Sequence, residues 1–321
     1  MSLRLSFIVP FYNVEPYIEE CIRSLYAQDI PWEEYEVICV DDCSLDGSRA
    51  IVERLQKEYP TLKLLTTPEN LRQGGARNMG LDVAQGRYIW FVDSDDYIQP
   101  NCLQKLLTQA EEENLDILDF DYDTDDIGKQ YGLQKNTLPY TIDLCNGTEY
   151  VFDPRVKWAS KCGAVCGMII KRDFLYNYNL YFAEKVQYED TDYSMQMFYY
   201  AQRVKHIDDK LYVYRYVETS STHSKITKSN ILYRVEAIKR FIHLYNTNTF
   251  STTQWKNALR EIIKNDVYEL LVTLRNTSLD IQLYFYKNRL GKIETIHQYI
   301  GKKSRMALNS LLMLYIICAK K

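Results

Sequence analysis

Apolar runs alternate with amphipathic segments through the first hundred residues. The runs "LRLSFIVPF", "YEVICV", "LKLL" and "RYIWFV" are short and rich in β-branched and aromatic residues, which is typical of strands. Between them, helical spacing places Ile18, Cys21, Ile22 and Leu25 on one face, and a second helix is expected over about 48–58. The alternation predicts an α/β fold with a mostly parallel, Rossmann-like sheet that carries helices on both faces.

After residue 100 the alternation loosens. We predict a fifth strand over 115–122, an irregular segment over about 125–145, a short strand over 165–170, a helix that begins near Glu189, and a strand within 205–217. From about residue 226 the apolar spacing is helical. The sequence therefore predicts a sheet domain over 1–222, with halves that meet near residue 97, and a helical module over 223–321.

The tail, residues 302–321, combines an apolar run over 306–319 with basic ends. Its basic residues are Lys302, Lys303, Arg305, Lys320 and Lys321. The run is shorter than the roughly 20 residues that a membrane-spanning helix needs. Two interpretations remain open: an interfacial helix whose lysines meet anionic headgroups, or a helix docked on the helical module.

Composition narrows the function classes. A net charge of -4 over 321 residues offers no electrostatic footprint for DNA or RNA. The eight cysteines are scattered, and no secretory signal is recognised before them, so they are interpreted as reduced cytosolic thiols. Cys162 and Cys166 lack a second Cys/His pair, which argues against structural zinc.

Several aspartates lie on or just beyond the predicted fifth strand. They are Asp116, Asp119, Asp121 and Asp123. Runs of charge usually form a solvated face, so most of these side chains are expected in solvent and no site is placed there.

Four polar loops follow predicted strands. They are residues 10–13, 41–44, 71–77 and 93–96. In open α/β sheets ligands bind outside the carboxyl ends of the strands, where strand order reverses. The four loops are therefore expected to converge on one ligand-binding edge.

The turn "DSDD" places Asp93, Asp95 and Asp96 at a strand end. Two carboxylates about 4 Å apart repel by about 4 kcal/mol at an effective dielectric near 20, so they need a cation or strong donors. Oxygen ligands of this kind suit Mg²⁺ or Mn²⁺, which prefer to share phosphate oxygens. A solvated acidic turn or a helix N-cap is the alternative for an isolated DxD; the apolar strand before it and the three companion loops favour the metal.

The turn "RQGGARN" suits a phosphate. Gly74 and Gly75 permit close backbone approach, and Arg72 and Arg77 can pair with phosphate. The spacing matches neither GxGxxG nor GxxxxGK[ST], which argues against a dinucleotide site and a P-loop. The residues together predict a site for a metal-bound nucleoside diphosphate.

Motifs in this order resemble the family 2 glycosyltransferases of the GT-A fold. The resemblance rests on "SFIVPFYNVEPYIEECIRSLYAQ", "VICVDDCSLDGS", "NLRQGGARNMGLDVAQGRYIWFVDSDDY" and "YEDTDY", and it covers about residues 3–220. It implies an inverting glycosyltransferase in bacterial polysaccharide biosynthesis, with Mn²⁺ or Mg²⁺ as cofactor. Residues 1–97 would then bind the nucleotide and residues 98–222 the acceptor.

The resemblance also implies roles for donor-side residues. Pro10 and Tyr12 would frame the nucleobase with Glu15 nearby, and Asp41 would accept a hydrogen bond from its ring. Arg72 and Arg77 would lie along the base and the diphosphate. Asp93 would contact the ribose or the metal, Asp95 would be the main metal ligand, and Asp96 is left out of the metal's coordination shell.

On the acceptor side, "YEDTDY" corresponds to the family's ED motif. The resemblance implies that Asp190 is the general base and that Glu189 contacts the acceptor, with Asp192 as the alternative base. A helix N-terminus that attracts acidic residues is the structural alternative. His223 would reach the metal or the diphosphate, unless it is a surface-loop histidine. Trp158 and Lys161 are weaker candidates for the acceptor side.

Other activities fit less well. A haloacid dehalogenase-like phosphatase carries its DxD on the first strand, whereas this one follows the fourth. A sugar nucleotidyltransferase needs a glycine-rich loop after strand one, and "VPFYNVEPY" has no glycine. A non-catalytic nucleotide-sugar-binding protein remains the non-enzymatic alternative.

The expected donor rests only on which nucleotide sugars are commonest in the family that the chain resembles. A UDP-hexose or UDP-N-acetylhexosamine is the expected donor, and a glycan or lipid-linked glycan hydroxyl the expected acceptor. The expected location is the cytoplasm, with peripheral association at the inner face of the membrane through residues 302–321.

Overall fold

The computed structural model describes residues 3–130, 140–156, 165–217, 227–247, 249–275 and 277. Within them the chain divides into two compact units. One comprises residues up to 185 together with 189–217, and the other comprises 186–188 and the residues from 227 onward. The predicted boundary at 222/223 falls outside the described residues.

The larger unit is built on a mixed sheet. Its nine described strands are β1 (Leu5–Phe11), β2 (Tyr35–Asp41), β3 (Leu62–Thr66), β4 (Tyr88–Phe91), β5 (Tyr97–Ile98), β6 (Ile117–Thr124), β7 (Ile142–Cys145), β8 (Met168–Lys171) and β9 (Val204–Tyr214). Neighbouring strands follow the order β3-β2-β1-β4-β8-β6-β9-β5, and β7 pairs with β9. The first four of these are parallel, as are β6 and β9, and the pairs that involve β5, β7 or β8 are antiparallel.

Helices surround this sheet. In the larger unit they are α1 (Ile18–Tyr26), α2 (Ser48–Leu55), α3 (Arg72–Val83), α4 (Leu103–Glu112), α5 (Asp126–Gln130), α6 (Gly147–Val151), α7 (Arg172–Asn177) and α8 (Glu189–Tyr200). Short 3-10 helices precede β2 and β8. The predicted α/β fold is confirmed.

The two faces of β1 pack against different helices. Every residue of β1 and β2 is buried, as expected for parallel strands covered on both sides. Phe7 and Val9 share a core with Ile18 and Cys21 of α1. On the opposite face, a Cβ added to Gly80 of α3 would lie 2.5 Å from Ile8 Cγ2. Helices therefore cover both faces, and the strand ends between them form an open edge.

The prediction of solvated aspartates on the fifth strand was wrong for two of them. Asp119 and Asp121 on β6 are each 1% exposed. Asp119 Oδ2 accepts a hydrogen bond of 2.5 Å from the Tyr150 hydroxyl and lies 2.6 Å from His206 Nδ1. A buried carboxylate is stable only with such partners, and His206 lies on β9, 87 residues away. Asp119 and Asp121 therefore face the interior.

The segment predicted to be irregular contains regular structure. α5 and β7 lie within 125–145, with residues 131–139 outside the described part of the chain. β7 pairs antiparallel with β9, with Ile142 opposite His206. The sequence did not indicate this strand because it is only four residues long, the minimum over which an alternating pattern is informative.

The smaller unit contains two described helices, α9 (Lys228–Asn246) and α10 (Thr253–Arg275). α9 begins with a capping box in which Thr227 and Asn230 exchange hydrogen bonds. The helices pack through buried apolar side chains, including Phe241 and Trp255, and an Arg234–Asp266 ion pair of 3.2 Å joins them. No described helix combines the length and the apolarity needed to cross a membrane, and the tail 302–321 lies outside the description.

Candidate functional site at the carboxyl ends of the strands

Hydrogen bonds tie the loops after β1 and β2 together. The Asn13 side chain accepts from the Leu45 backbone N–H at 2.7 Å, and Glu15 accepts from the Gly47 N–H at 2.8 Å. The prediction placed Glu15 near the nucleobase; here its carboxylate anchors the neighbouring loop. These contacts hold the loops after β1 and β2 side by side. Residues 72–77, predicted to form a turn, are instead the first residues of α3.

The loop after β2 also reaches the start of α3. Asp42 is buried, and its Oδ1 accepts hydrogen bonds of 2.8 Å from the Thr67 hydroxyl and from the Leu71 backbone N–H. Asp42 was not predicted as a site residue, although its place in "VDD" was a usable signal. Its role is to fix the position of the N-terminus of α3.

Residues predicted to hold the nucleobase lie on these loops. Pro10 is buried within β1, while the Tyr12 side chain is 46% exposed. Asp41 is buried at the end of β2; its Oδ1 accepts from the Ser44 N–H at 2.8 Å, and its Oδ2 lies 3.4 Å from Arg49 Nη1. Tyr12 therefore offers an accessible ring, and Asp41 a carboxylate fixed by its own loop.

α3 packs closely on the segment that leads to α8. A Cβ on Gly74 would lie 2.3 Å from the Ala183 carbonyl oxygen and 3.1 Å from Glu189 Cγ. The sequence predicted that Gly74 allows close backbone approach, and the closest described neighbour is this carbonyl. Arg72 opens α3 with a φ of 62°, and its side chain is half-buried. Any side chain at position 74 would push α3 away from Glu189.

Arg77 is the centre of the site. Its Nη1 donates to Glu189 Oε1 at 2.9 Å and its Nη2 to Asp93 Oδ1 at 2.8 Å. The residue is 3% exposed, and its guanidinium lies 5.1 Å from the centre of the Phe182 ring. Burial lowers the pKa of Arg77, but Asp93 and Glu189 outweigh it, so the pKa is raised and the charge is retained. The prediction put Arg77 along the nucleotide; the structure puts it between two carboxylates.

The Asp93–Asp96 turn follows β4 and is closed by a 3.0 Å bond from the Asp96 N–H to the Asp93 carbonyl. The Asp93 side chain is 26% exposed, and its Oδ1 accepts from both Arg77 and Gln73, the latter at 2.9 Å. Asp95 is half-buried. Gln73 was not predicted, because nothing in the sequence distinguishes it from a surface residue of α3.

Asp96 faces the interior. Its Oδ2 accepts from the Tyr212 hydroxyl at 2.6 Å, and its Oδ1 accepts from the Arg215 N–H at 2.8 Å. Burial raises the pKa of Asp96 well above its usual range, and the charges of Asp95 and Asp93 raise it further. The Tyr212 hydroxyl also accepts from the Asp93 N–H at 3.2 Å. Asp96 therefore anchors the turn to the end of β9.

The ED motif opens α8. Glu189 is buried against Arg77, Asp190 is half-buried, and Asp192 is buried. Burial and, after it, the charge of the adjacent Glu189 raise the pKa of Asp190 to about 7, against the opposing effect of Arg77. A carboxyl group with a pKa near 7 is suited to accept a proton at neutral pH.

The carboxylates of the turn fit a shared divalent cation. Within the described residues, which exclude His223, no cluster of three or more His, Cys, Asp or Glu side chains could hold a metal. Mg²⁺ and Mn²⁺ are commonly held by one or two carboxylates with substrate phosphates completing the shell. Asp95 and Asp93 match this donor set. His223, Trp158 and Lys161 lie outside the described residues.

Comparisons with known proteins identify the family of this chain. The model of glycosyl transferase family 2 matches residues 6–178. The uncharacterized glycosyltransferase EpsJ of Bacillus subtilis is 33% identical over 216 residues, 66% of this chain and 60% of EpsJ. The poly(ribitol-phosphate) beta-N-acetylglucosaminyltransferase TarS of Staphylococcus aureus is 32% identical over 217 residues, 66% of this chain and 35% of TarS. The chain thus spans 60% or less of the length of these two relatives.

Solved structures share the fold. Residues 1–349 of Staphylococcus aureus TarS in complex with UDP-GlcNAc match with a TM-score of 0.69 at 22% identity, covering 95% of this chain and 84% of that one. A mannosyltransferase of Pyrobaculum calidifontis in complex with GDP-Man and Mn²⁺ matches with a TM-score of 0.52 at 17% identity, covering 98% and 88%. The fold is the GT-A fold. The chain belongs to glycosyl transferase family 2, as its motifs predicted.

Proposed function

We propose that this chain is an inverting glycosyltransferase that moves a sugar from a nucleoside-diphosphate sugar to a hydroxyl group of a glycan. The observation that carries the proposal is the Asp93–Arg77–Glu189 bridge, with hydrogen bonds of 2.8 and 2.9 Å. It brings the carboxylate turn and the N-terminus of α8 into one site. Donor and acceptor chemistry can therefore meet there.

In the proposed reaction, Asp190 takes the proton of the acceptor hydroxyl as its oxygen attacks the anomeric carbon of the donor. The attack comes from the face opposite the leaving group, so a single displacement inverts the anomeric centre. The bond from that carbon to the phosphate oxygen breaks, and its electron pair leaves with the diphosphate. Asp190 suits this role because its raised pKa keeps it near half-ionised at neutral pH.

Donor-side residues have complementary roles in the proposal. Tyr12 and Pro10 border the base and Asp41 accepts from it, while Arg72 at the start of α3 faces the diphosphate. A divalent cation held by Asp95 and Asp93 would supply positive charge to the leaving diphosphate. We assign Arg77 to the alignment of Asp93 with Glu189, because both of its terminal nitrogens are occupied by these carboxylates.

We propose a UDP-hexose or a UDP-N-acetylhexosamine as donor and a polymeric or lipid-linked glycan as acceptor. The TarS structure with UDP-GlcNAc supports the donor, and the names of the poly(ribitol-phosphate) transferases support a polymeric acceptor. The proposed location is cytoplasmic, with peripheral membrane contact through the tail. It is supported by the free thiols of the described cysteines, as expected in a reducing compartment.

A donor panel tests the proposed function. The purified chain is incubated with Mn²⁺, nucleotide sugars and glycan acceptors, and diphosphate release is followed together with the anomeric configuration of the product by NMR. We expect release of the nucleoside diphosphate to require both the metal and a UDP-sugar. The anomeric configuration of the product should be inverted relative to the donor. Retention of configuration would contradict the single displacement, and tight donor binding without turnover would favour the non-catalytic alternative.

Asp95→Asn tests the metal site. Removing one electrostatic stabiliser of a transition state costs about 10²-fold to 10³-fold in kcat, and we expect a loss of this size together with a higher Mn²⁺ requirement. Asp126→Asn is the matched control, because the Asp126 side chain is 96% exposed at the start of α5. Unchanged activity and metal dependence in Asp95→Asn would remove Asp95 from the site.

The pH profile tests Asp190 as the base. Since only its carboxylate accepts a proton, we expect kcat/KM to reach a plateau above pH 7 and to fall about tenfold per pH unit well below it. The inflection should lie near the pKa of about 7 in the free protein. Glu189→Gln removes the neighbouring charge that raises this pKa, so it should move the inflection to lower pH. An inflection that does not move would contradict the assignment.

A further inference from the structure

Arg215 binds the carboxylate turn, residues 93–96, through its backbone and its side chain. It directly follows β9, and its Nε donates a 2.8 Å hydrogen bond to the carbonyl oxygen of Asp95. Its backbone N–H donates to Asp96 Oδ1 at 2.8 Å. A single residue thus fixes the backbone of Asp95 with its side chain and the carboxylate of Asp96 with its main chain.

The guanidinium of Arg215 is itself fixed in place. Its Nη1 lies 2.8 Å from Glu20 Oε2, and its side chain is 16% exposed. The rings of Tyr17 and Tyr97 lie 5.3 and 5.2 Å from its central carbon, within the range of cation–π attraction. The side chain is therefore a rigid support between α1 and the turn.

The turn concentrates acidic side chains. Asp93, Asp95 and Asp96 place three carboxyl groups in four positions, and like charges at such spacing repel. Arg77 binds the carboxylate of Asp93, and Arg215 binds the backbone carbonyl of Asp95. The peptide that carries the Asp95 side chain is thereby held in one orientation.

We propose that Arg215 is a positioning residue that holds Asp95 in the geometry in which its carboxylate shares a divalent cation with the donor diphosphate. Arg215 acts through the backbone of Asp95 and does not need to touch the ligand. The inference rests on the proposed function. An arginine suits the task because its planar fork directs Nε to the carbonyl and Nη1 to Glu20 at the same time, which a lysine ammonium cannot reproduce.

Arg215→Met and Arg215→Lys isolate the side-chain contact, because every substitution here except proline keeps the backbone N–H that binds Asp96. Binding of UDP is measured by calorimetry with and without Mn²⁺. We expect UDP affinity in EDTA to stay within about twofold of wild type. We expect the increase in affinity on adding Mn²⁺ to fall about tenfold to 10²-fold, the usual cost in metal affinity of losing a residue that orients a metal ligand. A residue with only a structural role would not change the metal-dependent part alone.

Glu20→Gln is the matched control. It removes the ion pair to Nη1 and leaves the bond from Nε to Asp95, so we expect the gain from Mn²⁺ to change by less than about threefold, since exposed ion pairs contribute little. Arg215→Lys keeps the charge and the aliphatic stem and serves if Arg215→Met does not fold, as judged by its thermal transition. If a folded Arg215 variant kept the full increase in UDP affinity on adding Mn²⁺, this inference would be wrong and the proposed function would be unaffected. If Mn²⁺ did not increase the UDP affinity of the wild type, both the proposed metal site and this inference would be wrong.

Discussion

Asp190→Asn is expected to lower kcat by about 10²-fold to 10⁴-fold, the usual contribution of a general base, and to leave donor binding intact. Asparagine keeps the shape of the side chain and cannot accept the proton of the acceptor hydroxyl. The donor-side residues lie on other elements, so the dissociation constant of the UDP-sugar should stay within about twofold of wild type. Single-turnover product formation measures the first quantity, and calorimetry measures the second.

Asp192→Asn is the matched control, because Asp192 lies on the same turn of α8 and was the alternative base. We expect it to retain most of the activity. If Asp192→Asn abolished transfer while Asp190→Asn kept it, the base would be Asp192. If both variants kept full activity, α8 would not supply the base and the proposed mechanism would fail.

Stability gives a second, independent readout of Asp190. Burial raises its folded pKa from 3.8 to about 7, so folding disfavours the charged form. The cost grows between about pH 4 and about pH 7, where the unfolded chain is ionised and the folded chain is still protonated. Above pH 7 the group is ionised in both states, so the cost is constant. We expect Asp190→Asn to unfold at the same or a higher temperature than wild type at pH 8, and the gain to shrink towards pH 4. A lower unfolding temperature at pH 8 would contradict the raised pKa of this carboxyl group.

Local pattern was sufficient to predict that the loops after β1, β2 and β4 lie at one end of the sheet. The strands β1, β2 and β4 are continuous apolar runs, and a parallel arrangement brings the residues that follow them to one edge. Predicting the Asp93–Asp96 turn required no knowledge of distant contacts. The loop after β2 was predicted in the same way, although the anchoring role of Asp42 was not.

The supports of the site could not be predicted, because each depends on contacts that are remote in sequence. Arg77 meets Glu189 across 112 residues, and Arg215 meets Asp95 across 120. Asp119 illustrates the same limit: its charge pattern is typical of a solvated face, yet β6 is covered and His206 approaches from β9. Sequence spacing indicates which chemistry is available, whereas the buried partners follow from which strands and helices become neighbours.

Arg77→Met is expected to be the most destabilising of these substitutions. Breaking a buried ion pair by removal of one partner costs about 3–5 kcal/mol, because the remaining charge is buried without compensation. Here two carboxylates, Asp93 and Glu189, would lose their shared donor. Denaturant unfolding measures the free-energy change. Arg23→Met is the matched control: Arg23 also pairs with two carboxylates, but its side chain is 41% exposed, so we expect a loss of less than about 1 kcal/mol.

The double variant Arg77→Met/Glu189→Gln separates the bridge from simple loss of packing. If the cost arises from unpaired charge, neutralising Glu189 should recover part of it, and the two changes should be non-additive by about 1–3 kcal/mol. Additive effects would contradict the bridge.

Arg77 also lowers the pKa of Asp190, so its substitutions should change the pH profile of kcat/KM. Arg77→Lys keeps a cation but holds one carboxylate less firmly, and its profile should retain an inflection near pH 7. Arg77→Met removes the cation and should move the inflection to higher pH. One buried arginine would then set both the alignment of the donor turn and the proton affinity of the base.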